Sequence, residues 1–186
     1  AQDGALGQRL EDRRGALRAA DAGTAVTLGG WVHRARDLGG LVFLDLRDRE
    51  GLVQVSFNPD WASAAAIAAA AAVGVESAVL IDGTVAARPA EMRNGDLATG
   101  EIEVRATAIR VVGPATTPAI PVAPAKDGKL PAEELRLRHR VLDLRREELQ
   151  RSLILRHHLL QETRRYLSAR GYLELETPIL TKPTPE

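Results

Sequence analysis

The sequence predicts a mainly β domain, a small five-stranded barrel with one inserted helix, joined by a linker to the first helix and strand of a second, α+β unit. Three observations predict it. Five short runs with a period of two lie between Thr24 and Gly113, glycines stand where such runs must bend, and the one helical pattern among them falls between the third and fourth runs. The chain of 186 residues has room for one domain and part of another.

Residues 1–23 are polar, with Gly4, Gly7, Gly15 and Gly23, and read as a lead-in holding at most a short helix near Arg14 to Ala20. The first strand contains VTLGGWVHR, where Gly29 and Gly30 permit a bend or bulge. Leu41 to Asp48 is the second strand; Val42, Leu44 and Leu46 point to the core, and Leu41, Phe43, Asp45 and Arg47 point outward. After a turn at Asp48 to Gly51, Leu52 to Phe57 repeats the pattern, with Val53, Val55 and Phe57 inward and Leu52, Gln54 and Ser56 outward. Asp60 to Val73 is so rich in alanine that it reads as a helix, capped by Asn58 or Asp60 and stopped by Gly74. ESAVLIDGTVAAR and GEIEVRATAIRVV are the fourth and fifth strands, joined by a polar loop from Pro89 to Thr99 with Asn94 and Gly95.

Three strands, a helix and two strands is the order of a five-stranded Greek-key OB barrel, a fold that binds oligonucleotides on the face of strands two and three. Phe43 and Gln54 share that face by parity. An aromatic ring beside an amide and guanidinium groups suits the stacking and reading of an unpaired base. A second reading is equally open on pattern alone, in which Phe43 covers a small apolar cluster with Leu41 and Leu52. The loop expected from Arg34 to Gly40 carries Arg34, Arg36 and Asp37, either as a solvated loop or as a basic arm beside the aromatic.

Formal net charge is zero, so no global basic field advertises nucleic acid and any such contact must be local. The absence of cysteine excludes a disulfide framework, a thiolate metal site and a cysteine nucleophile. No apolar run approaches the roughly 20 residues of a membrane span, and AQDGALGQRLEDRRG is not a secretory signal. The expectation is a soluble, cytoplasmic protein with no membrane contact.

Residues 114–146 begin with a run rich in Pro, Ala and Thr and read as linker and hinge. A helix is expected from Glu147 to Ala169, ended by Gly171, as the start of the second unit at residues 147–186. Leu153, Leu160 and Leu167 form one stripe, and Leu155, Leu159 and Tyr166 lie about 200 to 240 degrees away, which implies burial on two sides. Tyr172 to Leu180 alternates like a strand, with Pro178 arguing for an edge or an end. His157 and His158 are adjacent and diverge, so they are surface or packing residues and no metal site is expected.

The runs GWVHRARDLGGLVFLDLRDREGLVQVSF, LATGEIEV, RLRHRVLDLRR and GYLELETPILTKPTPE, in this order, closely resemble bacterial-type aspartate–tRNA ligases, class II synthetases with an N-terminal OB anticodon-binding domain. The resemblance covers nearly everything after about Gly15. It implies that residues 24–113 bind the anticodon of tRNA(Asp), with Phe43 stacking on the central uridine, Gln54 and Arg36 reading base edges, and Arg34 meeting phosphate. Trp31 is expected to pack. Ala35 stands where the family usually has Arg, and Leu38 matches the form that charges only tRNA(Asp).

The last run resembles class II motif 1, whose helix and proline-bearing strand form a homodimer interface, here through Leu153, Leu160, Leu167 and Pro178. Glu186 matches a glutamate that contacts substrate aspartate. ATP and Mg2+ are implied for the full-length parent and none for this piece, since motifs 2 and 3 are missing. The chain is therefore expected to be a fragment, inactive alone and with no catalytic residue of its own. An asparagine- or lysine-tRNA ligase relative and a non-catalytic single-stranded RNA-binding OB protein are the alternatives.

Overall fold

The computed structural model describes residues 17–124 and 128–179, in two compact units divided between Pro131 and Ala132. The first unit is a closed barrel of β1 (Ala25–Asp37), β2 (Val42–Arg47), β3 (Leu52–Phe57), β4 (Ala78–Ala87) and β5 (Ile102–Gly113). Around the barrel the order is β1-β2-β3-β5-β4. β3 and β5 close it in parallel, and the other neighbours are antiparallel. Helix α1 (Ala64–Ala72) lies between β3 and β4 in sequence. Inward residues expected from parity are buried, among them Val42, Leu44, Leu46, Val53, Val55 and Phe57. This interior, not backbone propensity, holds the strands in register, because a slip of one residue would carry every inward side chain to the outer face.

Three local expectations change. Strand β1 runs to Asp37, so Arg34, Arg36 and Asp37 are strand residues paired with β2 and not a loop; the turn shrinks to four residues. That turn is tight because Asp37 Oδ1 accepts from the Gly39 and Gly40 amides at 3.0 and 3.1 Å, with both glycines at positive φ. The irregularity in β1 falls between Val32 and Arg34, beyond Gly29 and Gly30. Gly30 serves close approach instead, since a Cβ there would lie 2.5 Å from the Arg47 carbonyl oxygen. The helix cap is Ser63, which accepts from the Ala66 amide at 3.2 Å, while Asn58 closes an earlier turn by accepting from the Asp60 amide. The chain is still turning at Trp61 and Ala62, whose amides donate to the Asn58 carbonyl, so helical geometry starts only after Ser63.

At residues 132–179 the second unit holds α2 (Glu133–Arg138), α3 (Arg140–Asp143) and α4 (Glu147–Ser168). Asp143 is fully buried and is faced by Arg140 at 3.3 Å and by Arg136 and Arg146 at 3.7 Å. Helix α4 ends ahead of Gly171, whose φ of +85° suits glycine. None of its residues is buried: Leu153, Leu160 and Leu167 remain 47, 45 and 41 % exposed, so neither apolar stripe is covered by the described residues. Tyr172 to Pro178, expected as a strand, is exposed and irregular. A strand needs a ladder partner, and the described residues of this unit contain no other strand. Two ties draw the segment back: the Tyr172 amide donates to the Leu167 carbonyl at 3.2 Å, and Arg164 Nε donates to the Glu174 carboxylate at 2.9 and 3.0 Å.

Candidate nucleic-acid interface

Register brings the predicted site residues into two adjacent rows on the outer face of the barrel. Arg36 stands opposite Phe43, Phe43 opposite Ser56, and Ser56 opposite Arg105. In the neighbouring row Arg34 stands opposite Asp45 and Asp45 opposite Gln54. Arg36 links the rows: its Nη2 donates to Asp45 Oδ1 at 2.9 Å and more weakly to Gln54 Oε1 at 3.4 Å, and its guanidinium carbon lies 5.9 Å from the Phe43 ring centroid. Phe43 is half-buried and Arg36 exposed. Phe43, Gln54 and Arg36 therefore form one contiguous patch, with Arg34 one pair further along the same strands. Leu38, 68 % exposed, rides on the adjoining turn, and Trp31 keeps 39 % of its surface exposed where packing was expected. Glu186 lies outside the described residues.

Two residues assigned to the outer face are not solvent-facing. Ser56 is 1 % exposed and its hydroxyl has no hydrogen-bond partner. Trp61 is brought against this strand by its Nε1, which donates to the Ser56 carbonyl at 3.1 Å, so the parity is right but the strand is roofed by the following loop. Arg47 turns into a buried network. Its Nη1 and Nη2 reach Glu76 Oε1 and Oε2 at 2.7 and 2.8 Å, and Nη1 also lies 3.0 Å from His33 Nδ1. Arginine cannot accept, so His33 Nδ1 does, which makes His33 the neutral tautomer protonated at Nε2. Burial lowers the His33 pKa below its ordinary value, Arg47 and Arg34 lower it further, and Glu76 and Asp45 oppose them.

Sequence reasoning missed Arg88. It is 7 % exposed and its Nε and Nη2 have no hydrogen-bond partner. Its pKa is lowered by burial, against the pull of Glu103 and Asp45, with Arg36 adding repulsion. Arg88 thus lies in the field of the Arg36–Asp45 patch. The available signal was an arginine ending the otherwise small and apolar run VAAR, which alternation treats as an ordinary strand end. Buried guanidinium groups are rarely left with open donors unless a partner arrives from outside. Chemically the patch offers a ring face, an amide, and donors of fixed direction. Among the described residues no group of three His, Asp or Glu side chains is placed to hold a metal ion. Nor is any helix among them long and apolar enough to cross a membrane.

Comparison with known proteins agrees with this architecture. Residues 26–112 match the OB-fold nucleic acid binding domain family, and residues 132–186 match the class II tRNA synthetases for D, K and N. The aspartate–tRNA(Asp/Asn) ligase of Synechococcus sp. RCC307 is 48 % identical over 173 residues, 92 % of this chain and 28 % of that protein. The aspartate–tRNA ligase of Oceanobacillus iheyensis is 45 % identical over 172 residues, again 92 % of this chain and 28 % of the relative. The chain spans less than a third of the length of these relatives. In fold it is similar to the aspartyl-tRNA synthetase of Entamoeba histolytica, with a TM-score of 0.79 at 23 % identity, covering 90 % of this chain and 39 % of that one. The barrel thus matches the OB-fold nucleic acid binding domains, the segment after it matches the class II tRNA synthetases, and the chain is homologous to part of the aspartate–tRNA ligases.

Proposed function

We propose that the barrel reads the anticodon of tRNA(Asp) within an aspartate–tRNA ligase. The observation that carries this reading is the single patch made by Arg36, Phe43 and Gln54, in which one guanidinium bonds Asp45, approaches the Gln54 amide and stands over the ring. Phe43 stacks on the central anticodon base, uridine. Gln54 donates to and accepts from base edges, Arg36 donates to them, and the Asp45 carboxylate keeps Arg36 aimed at them. Arg34 meets a phosphate, which positions the loop without specifying sequence. Arg88, buried with open donors and in the field of the patch, is the further group that a bound base or phosphate satisfies.

In the whole enzyme, ATP activates the carboxylate of aspartate and the adenosine end of the tRNA attacks the resulting mixed anhydride; ATP and Mg2+ supply the phosphate chemistry. The described residues do not fit a metal centre, and the exposed apolar side chains Leu153, Leu160 and Leu167, with Pro178, fit a homodimer contact through the class II segment. The substrate-aspartate role of Glu186 rests on its motif alone. Titration of an anticodon stem-loop carrying GUC against one with the central U replaced tests the reading. The expected result is preference for GUC, with Phe43→Ala weakening binding by about 1 to 3 kcal/mol. Equal binding of both loops by the unmodified chain would remove the assignment.

A further inference from the structure

The same row of residues continues past Phe43 and Ser56 to a feature that the proposed reading does not use. On β5, Arg105 stands opposite Ser56, and its guanidinium carbon lies 4.9 Å from the Trp61 ring centroid. The indole is fixed by its Nε1 hydrogen bond to the Ser56 carbonyl at 3.1 Å, and it packs against the barrel core. Glu103 approaches Arg105 from the Nε side at 3.6 Å. A guanidinium that is stacked on a ring and held at its Nε keeps its two Nη groups for something else, and the Arg105 side chain is 49 % exposed.

Location says what that something is. Two strand spacings separate Phe43 from Arg105, about 9 to 10 Å, the reach of one or two nucleotides of single-stranded chain. Between them stands Ser56, buried, with its hydroxyl unpartnered. A stack pre-set on an indole loses little freedom on binding, unlike a solvated lysine.

We infer that Trp61 and Arg105 form a second RNA contact on the barrel, in which Arg105, held over the indole, donates its Nη groups to a backbone phosphate next to the nucleotide stacked on Phe43. The contact rests on the anticodon-reading face proposed above. It carries no base information, and its work is to fix how far along β5 the loop is laid.

The test uses the whole chain and a single-stranded anticodon loop on its stem. Arg105→Gln is expected to lower affinity roughly fivefold at moderate salt, equally for GUC and for a loop with a changed central base. It should also reduce the slope of log K against log salt by about 0.7, the value for one phosphate contact on a single strand. Arg105→Lys should restore the slope while recovering only part of the affinity, because charge returns without the planar stack. Since the chain has two tryptophans, Trp31→Phe leaves Trp61 as sole reporter; its emission should change on adding RNA and cease to respond with Arg105→Gln. An unchanged affinity and salt slope in Arg105→Gln, with Phe43→Ala still weakening binding, overturns this contact and leaves the reading face standing. If Phe43→Ala is silent as well, both fall.

Discussion

Arg47 forks onto Glu76, Nη1 to Oε1 at 2.7 Å and Nη2 to Oε2 at 2.8 Å, and so ties the end of β2 to the segment that leads into β4. The two side chains are 11 and 3 % exposed, and Glu76 adopts a φ of +66°, a backbone state that costs a non-glycine residue about 1 kcal/mol or more. The ion pair holds Glu76 there together with a hydrogen bond from its amide to the Val32 carbonyl at 2.7 Å. Glu76→Ala is expected to cost about 3 to 5 kcal/mol in urea unfolding, because it leaves a guanidinium buried without its partner. The double substitution Arg47→Met with Glu76→Leu should cost clearly less than Glu76→Ala alone. A double variant as unstable as the single one would show that the backbone strain, and not the orphaned charge, dominates.

His33 makes the same network sensitive to pH. Its folded pKa lies below the unfolded value of about 6.5, so below that pH the unfolded chain binds the proton more readily than the native one. The His33 contribution is intact above about pH 6.5 and is lost as pH falls from there towards the lower folded pKa. Denaturant midpoints measured between about pH 7.5 and 5.5 should therefore fall more steeply for the unmodified chain than for His33→Gln. Parallel curves would remove His33 from the pH dependence.

Gly100 turns the loop between β4 and β5. A Cβ there would lie 1.7 Å from the Asn94 carbonyl oxygen, and the same turn is closed by hydrogen bonds from the Asn94 amide to Gly100 and from the Gly100 amide to Leu97. Backbone cannot yield as a side-chain tip can. Gly100→Ala is expected to cost about 2 kcal/mol or more, read as a lowered melting temperature, whereas Gly95→Ala, with open space around its Cβ, should be close to neutral.

Asp45 restrains Arg36 on the reading face, 2.9 Å from its Nη2. Asp45→Asn should strengthen binding of any RNA by raising local positive potential, with a steeper salt dependence, while narrowing the preference for GUC over a changed central base. Sharpened discrimination in that variant would contradict an orienting role for the carboxylate.

For the class II segment the prediction concerns assembly. Helix α4 exposes Leu153, Leu160 and Leu167 together, and a dimer contact through them should be visible in sedimentation as a concentration-dependent species that Leu160→Glu abolishes. The barrel should unfold at the same denaturant concentration with and without that substitution.

The sequence by itself determined the five-stranded barrel, the order of its elements along the chain and the common face of Phe43 and Gln54. Alternation along Leu41 to Phe57 depends only on the period of two, so it placed Phe43 and Gln54 together without knowledge of any other strand. What α4 would be was likewise legible from its caps and spacing. The remainder needed tertiary structure because it depends on which residues meet across strands far apart in the chain. Arg47 has outward parity but turns to a carboxylate 29 positions on. Ser56 has outward parity but is roofed by Trp61. Arg34 and Arg36 belong to β1 and not to a loop, because pairing with β2 continues through Asp37. Tyr172 to Pro178 has the pattern of a strand without the ladder that would make it one. Local pattern sets which way a side chain leaves the backbone; only the arrival of another element decides what it meets there, as with Glu76 for Arg47 and the Trp61 ring for Arg105.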